Sequence, residues 1–389
     1  MSETRPGSIG DDEAKAWQRE FPGLAATIHL ANCSHGPQSR RVRRALDAYL
    51  DGWLAKGMDW SSWIGEVEGA KQAFARLIGA QPTEVALSTS ASAAVASVAS
   101  ALTGGAARRR VVTTEAEFPT VGHVWLAHAR YGLEVDFIPV RDGAIELDAY
   151  ERSVDEHTLV VSATHVYYQN GFKQDLRRIA EIAHRAGALL LVDAYQSLGT
   201  CRVDVRELDV DILVSGSQKY LLGVPGIAFV YVKGELVERL EPALTGWFGR
   251  VDPFAFDPKR LDYAADARRL ETGTPPVFAA AAARAGMELI ERADPRRIEA
   301  RIDALSAHAI RAAADRGLEY SGPADVRCKG ATTAIRVPDP ANMEGLLKER
   351  SIVASARGDV IRIAPHFFTT TADIDRALDE TRSVLERRL

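Results

Sequence analysis

From Val85 onward the chain alternates two hydrophobic rhythms. Short, nearly continuous apolar runs stand at 85–88 (VALS), 110–115 (RVVTTE), 133–140 (LEVDFIPV), 158–166 (TLVVSATHV), 188–194 (ALLLVDA), 211–217 (DILVSGS) and 226–233 (GIAFVYVK). Between several of them lie stretches with helical spacing, at 92–102, 120–132 and 174–187, the last two closed by Gly132 and Gly187. Apolar strands alternating with helices predict a mainly parallel sheet covered on both faces. Upstream, residues 39–56 and 66–79 carry helical spacing, the second with Ala70, Phe74, Ala75, Leu77 and Ile78 toward one side. Residues 1–20 read as a polar arm ending in a short helix.

The rhythm changes after Pro276. Long charged helices are predicted over roughly 277–317, and a small α/β unit follows. It comprises strands at 332–338, 351–356 and 360–365 and helices at 342–350 and 371–388. A chain of 389 residues exceeds the size at which one core usually stops growing. The expected division is an N-terminal arm that joins the small domain (1–50), a large domain (51–280) and a small C-terminal domain (281–389).

Bulk properties narrow the function classes. Apolar content of 46%, charge of 26% and a net charge of −5 are ordinary for a soluble protein. They give no electrostatic reason to bind nucleic acid or an anionic membrane. The basic cluster Arg108–Arg110 reads as a solvated strand start. Cys33, Cys201 and Cys328 form neither a disulfide framework nor a metal-type spacing, which fits a reducing compartment and predicts no metal site. The first residues are polar, without an apolar secretory core, and no apolar run is long enough to span a bilayer. The expectation is a cytoplasmic protein.

The chemistry concentrates in LLLVDAYQSLGTCRVDVRELDVDILVSGSQKYLLGVPG, residues 189–226. Asp193 ends one apolar strand, and Lys219 follows a second. Ligands of such sheets bind at the carboxyl ends of the strands. An amine presented there suits a Schiff base, and an aspartate one strand away suits a pyridinium nitrogen, a pairing that points to pyridoxal 5'-phosphate.

These residues resemble the fold-type I pyridoxal-phosphate enzymes of the class V aminotransferase group, which includes cysteine desulfurases, kynureninases and alanine–glyoxylate-type aminotransferases. SGSQK matches the alanine–glyoxylate-type pattern. VDAYQS resembles the desulfurase VDGAQ and the kynureninase D-x-A-H-S. EFPT (117–120), THVYYQNG (164–171) and TGWFG (245–249) resemble the kynureninase N-F-P-T/S, T-H-V-N-Y-K-T-G and G-W-F-G. The resemblance implies a mainly parallel seven-stranded sheet sandwiched by helices, with a smaller α/β C-terminal domain. It implies a homodimer whose site is shared across the interface.

By resemblance, Lys219 is the Schiff-base lysine and Asp193 holds the pyridinium nitrogen. Gln196 sits near the phenolic oxygen, and Phe118 stacks on the ring. Ala91, Ser92 and Gln218 take the phosphate, the first two at a helix N-terminus whose N–H groups favour an anion. An N-cap role for Ser92 is compatible with phosphate binding. Thr164, His165 and Tyr167 lie at the mouth of the strand before Asp193. Trp247 and Thr274, the latter in ETGTPP, complete the site of the partner subunit. Arg362, in VIRIAP, grips a substrate carboxylate as a two-pronged donor, and Asn32 and His35 line the substrate pocket.

Departures narrow the reaction. VASARGDVIRIAP (353–365) lacks the desulfurase cysteine, which disfavours a persulfide-forming desulfurase. Gln218 replaces the kynureninase tyrosine before the lysine, and Gln196 replaces its histidine. The expected activity is cleavage of a C–C or C–S bond in the side group of a small α-amino acid, through a substrate Schiff base and a carbanion, as in a kynureninase-like lyase or hydrolase. The alternative is a class V aminotransferase passing the amino group to a keto acid.

Overall fold

The structure, a computed structural model, describes residues 7–102 and 108–387. The polar start at residues 1–6 and position 388, the end of the last predicted helix, lie outside the described residues. One sheet has seven strands: β1 (Val85–Ser88), β2 (Arg110–Thr114), β3 (Glu134–Ile138), β4 (Thr158–Thr164), β5 (Leu189–Asp193), β6 (Ile212–Gly216) and β7 (Ala228–Val232). Their order is β1-β7-β6-β5-β4-β2-β3. The ladders joining β6, β5, β4, β2 and β3 are parallel, while β7 runs antiparallel to both β1 and β6. The seven-stranded, mainly parallel sheet expected from the resemblance is therefore present. The single reversal has a local cause. Residues 217–227 contain no helix, and without a crossover element the backbone returns alongside β6 in the opposite sense.

Side chains on successive strand residues point to opposite faces, and each face has its own core. On β5, Leu190 and Val192 join Phe74 and Phe229 on one side, whereas Leu191 joins Val98 and Trp125 on the other. The first core is closed by α1 (Arg40–Lys56), α2 (Trp60–Ile78) and the later helix Val277–Ala293; the second by α3 (Ala91–Leu102) and α4 (Pro119–His128). Phe74 and Phe229 stack at 4.4 Å and 7° between planes. Truncating either buried ring would cost about 3–5 kcal/mol. The predicted helical stretch over 277–317 is two helices, broken at Asp294, which takes φ 65° before Pro295 starts the second.

A smaller antiparallel sheet follows: β8 (Tyr320–Ser321), β9 (Thr333–Arg336), β10 (Ser355–Arg357) and β11 (Val360–Ile363), in the order β10-β11-β9-β8. Its core includes Leu305, Ile335, Leu347, Ile361, Ile374 and Leu378, and Leu30 from the N-terminal segment packs into it. Ile28–His29 pairs in parallel with Ile352–Val353. Residues 351–356, read from sequence as one strand, thus split at Ala354 between two sheets. Among the described residues no helix is long and apolar enough to cross a membrane.

Candidate functional site

The carboxyl ends of β4, β5 and β6 converge on one cleft. Asp193 closes β5 in register with Thr164, the last residue of β4. Lys219 sits in a turn beyond β6, closed by Gly223 N–H to Ser217 O at 2.8 Å and Leu222 N–H to Lys219 O at 3.1 Å. The N-terminal segment crosses directly over this turn. Gly36 N–H donates to Gln218 O at 2.8 Å, and a β-carbon at Gly36 would fall 2.7 Å from Lys219 O, so only glycine permits that approach.

Lys219 Nζ lies between two aromatic rings, 4.1 Å from the Tyr195 centroid and 5.6 Å from that of Phe118. The residue is only partly exposed. Burial lowers its pKa to about 8, with the nearby charge of Asp193 opposing the shift and those of Arg362 and Arg357 adding to it. An amine titrating there is partly free base near neutral pH, ready to attack an aldehyde carbon.

Asp193 is 6% exposed. Burial pushes its carboxyl up; the Tyr195 N–H, donating at 2.8 Å, and the Lys219 charge pull it back. Glu117, immediately before Phe118, is equally enclosed and lies close enough for Asp193's charge to raise its own pKa after burial has done so. The ring of Phe118 meets Tyr168 edge-on at 5.4 Å.

The other expected residues take the following places. Ala91 and Ser92 open α3, but the N-cap is Ser90, whose hydroxyl accepts the Ala93 N–H at 3.1 Å. The capping role for Ser92 therefore falls; its hydroxyl instead donates to Thr120 Oγ1 at 3.2 Å, tying this turn to the start of α4. Thr164 Oγ1 donates to Val166 O at 3.2 Å. Gln196 Nε2 donates to Cys33 O at 2.9 Å, while its buried Oε1 has no partner among the described residues. Asn32 is likewise half-satisfied, with Nδ2 on Ala364 O at 2.8 Å and a buried, unpartnered Oδ1. His35 is exposed, with Nδ1 2.7 Å from Gly36 O. Buried Tyr167 donates to Gln169 Oε1 at 2.8 Å. His165 is buried with an unpartnered Nδ1, and burial lowers its pKa to about 3.

Arg362 is 1% exposed at the centre of β11. Its guanidinium donates to Tyr168 O (2.9 Å), Ser34 Oγ (3.0 Å) and Ser355 Oγ (2.7 Å). The two hydroxyls are themselves bonded at 2.8 Å. Strand, N-terminal segment and the 164–171 loop thus hold the fork in one orientation.

Trp247 and Thr274 group elsewhere. Trp247 packs with Trp60, Phe254 and Phe256 at 5.6–5.9 Å, and Thr274 is exposed. Their segments meet through Phe248 N–H to Thr272 O at 3.2 Å. Among the described residues no hydrogen bond or ring contact joins either to Lys219.

Two members of the cleft are not among the residues expected from the sequence. Tyr195 stands where VDGAQ and D-x-A-H-S both carry alanine, a visible departure. Glu117 directly precedes Phe118, but its burial comes from the sheet and leaves no mark in the local sequence.

The family profile described as Aminotransferase class-V matches residues 37–368. The chain belongs to this family. It is similar to a protein named "Uncharacterized aminotransferase YcbU" from Bacillus subtilis (strain 168), 41% identical over 94% of this chain and 96% of that one. It is also similar to a kynureninase of Pseudomonas fluorescens, 28% identical over 73% and 70% of the two chains. The apo cysteine desulfurase of Thermococcus onnurineus NA1 shares the fold, with TM-score 0.87, 22% identity and coverage of 98% and 100%. The family works with pyridoxal 5'-phosphate, and this is the cofactor of the present class V protein. The unpartnered Oε1 of Gln196 and the partly free Lys219 amine are open to such a group.

Proposed function

We propose that this class V enzyme cleaves a C–C or C–S bond in the side group of a small α-amino acid, as a kynureninase-like lyase or hydrolase. The observation that carries the site assignment is the Lys219 amine, held between the Tyr195 and Phe118 rings with Asp193 one strand away. Bound pyridoxal 5'-phosphate supplies an electron sink for the bonding electrons at the substrate Cα. The protein's own residues do the rest. Lys219 would hold the cofactor, and its amine would take and return the Cα proton. Its pKa of about 8 leaves both protonation states within reach. Asp193 keeps its negative charge for the ring nitrogen, and Phe118 packs on the ring. Ala91, Ser92 and Gln218 hold the phosphate at the start of α3, where outward N–H groups and the helix dipole favour an anion. Arg362 orients the substrate carboxylate, beside Asn32, His35 and Tyr167. Trp247 and Thr274, which among the described residues share no hydrogen bond or ring contact with Lys219, serve the second subunit of a homodimer.

Bond cleavage is favoured by EFPT, THVYY and GWFG and by the kynureninase relative. The aminotransferase alternative has its own support in the name of the 41% identical relative and in SGSQK. One experiment separates them. The cofactor-loaded protein is mixed with a panel of amino acids without any keto acid, and its absorbance is followed. Cleavage returns the visible band of the lysine-bound cofactor with each turnover and releases a fragment detectable by mass spectrometry. Amino transfer leaves the pyridoxamine form and a stoichiometric keto acid, which would overturn the cleavage reading.

A further inference from the structure

One buried acid has no part in the scheme above. Glu117 follows β2 by three residues, β4 lies between β2 and β5, and the charge of Asp193 acts on the Glu117 carboxyl across the end of β4. It is 5% exposed, and among the described residues neither carboxyl oxygen has a hydrogen-bond partner of normal geometry. The Thr164 backbone lowers the carboxyl's pKa, but less than burial raises it. Neutral groups stand beside it. Tyr150 is buried and commits its hydroxyl to Gln174 Oε1 at 2.8 Å, and Gln174 Nε2 in turn holds Thr164 O at 2.5 Å. His165, on the same strand end, stays uncharged at ordinary pH. The Lys219 charge acts on Asp193, and that of Lys173 on His165.

Two ionised carboxylates cannot share such a place, because a buried charge without donors or counter-charge is costly and a like charge beside it adds to the cost. One must hold a proton. Asp193 has the Tyr195 N–H and the Lys219 charge; Glu117 has neither. We propose that Glu117 is a positioning residue, a neutral carboxylic acid beside Asp193 that reserves the pair's single negative charge for Asp193. This rests on reading Asp193 as the partner of the cofactor's ring nitrogen, for which an ionised aspartate is needed.

The test is infrared spectroscopy of the full-length protein, before and after loading with pyridoxal 5'-phosphate. At neutral pH the wild type is expected to show the carbonyl stretch of a protonated carboxyl, and Glu117→Gln to lack it. In Asp193→Asn the like charge is gone, so this band should vanish at lower pH than in wild type. Since Gln mimics a neutral acid in shape, Glu117→Gln should bind the cofactor within about threefold of wild type and leave the pH titration of its visible band unmoved. A wild-type spectrum without the band, or a Glu117→Gln titration displaced by about one pH unit or more, would overturn the proposal. Should Glu117→Gln fail to fold, the wild-type and Asp193→Asn spectra still decide: an unmoved band sinks the coupling. If the band behaves as expected but Asp193→Asn keeps full turnover, the proton stays with Glu117 and the role given to Asp193 falls instead.

Discussion

The phenol of Tyr195 rests against the α-carbon of Gly216: a β-carbon built there would fall 2.3 Å from both Cζ and the hydroxyl oxygen. Gly216 ends β6, three residues before Lys219, so the glycine of SGSQK is the seat of the ring that lies over the Lys219 amine. Burial, with Asp193's charge behind it, holds the Tyr195 hydroxyl up at about 12, so the ring is a neutral wall at working pH.

Gly216→Ala should therefore force the Tyr195 ring out of its seat. Overpacking of this kind costs about 1–3 kcal/mol, read as a lower melting temperature. Weaker cofactor retention should accompany it, because the ring flanks the amine. Adding Tyr195→Ala to Gly216→Ala should recover part of the stability. A single variant as stable as the parent would show that the contact does not constrain the fold.

The Lys219 amine sets a pH dependence. Its folded pKa of about 8 lies below the ordinary 10.5, so between those values the folded protein binds fewer protons than the unfolded one. Stability from this group rises with pH across that window, and burying the ammonium is a cost felt in full below it. The free amine is also the attacking form. Rates of cofactor uptake by the cofactor-free protein should climb about tenfold per pH unit below the pKa and flatten above it. Stopped-flow absorbance checks this, and a rate still climbing tenfold per unit at pH values well above 8 would contradict the enclosure of Lys219.

Arg362→Lys keeps the charge at the carboxylate site but loses the planar fork and the contacts to Tyr168 O, Ser34 and Ser355. The expected result is a KM for the amino acid raised by about 10–100-fold, a loss of about 1.5–3 kcal/mol. The visible cofactor band should remain. Equal loss of the cofactor band would place Arg362 in the scaffold rather than in substrate binding.

How much of this was legible in the sequence follows from the range of each signal. The strands leading to Asp193 and Lys219 were legible because a strand buried on both faces must be apolar throughout, whatever its neighbours. The split of 351–356 was not, since Ile352 and Ser355 pair with different partners, Ile28 and Arg362, hundreds of residues or only a few away. The cap falls on Ser90 rather than Ser92 because helix starts shift by a residue or two without changing the hydrophobic pattern. Trp247 sits in an aromatic group with Trp60, and Glu117 lies near Asp193 only because β4 lies between their strands. Such placements depend on strand order, which periodicity does not encode.

Strand order also explains the last expectation, which concerns Glu271. Its Oε1 accepts the Leu87 N–H of β1 at 3.1 Å and lies 3.7 Å from the ammonium of Lys71, whose side chain on α2 is 4% exposed. Burial raises the Glu271 pKa more than Lys71 lowers it, so desolvation outweighs the ion pair here. The pair is thus a poor source of net stability, yet breaking one side is expensive, because a buried ammonium and a buried N–H are left behind. Glu271→Ala should cost about 3–5 kcal/mol, leaving Lys71 only the half-exposed Glu68 at 3.2 Å. Glu271→Gln keeps an acceptor for Leu87 and should cost less. Since β1 leads into the turn that starts α3, the Ala variant should also bind the cofactor more weakly, measurable by spectrophotometric titration beside thermal melting. Equal stability of the Ala variant and its parent would mean that Lys71 finds water or another acid in place of Glu271.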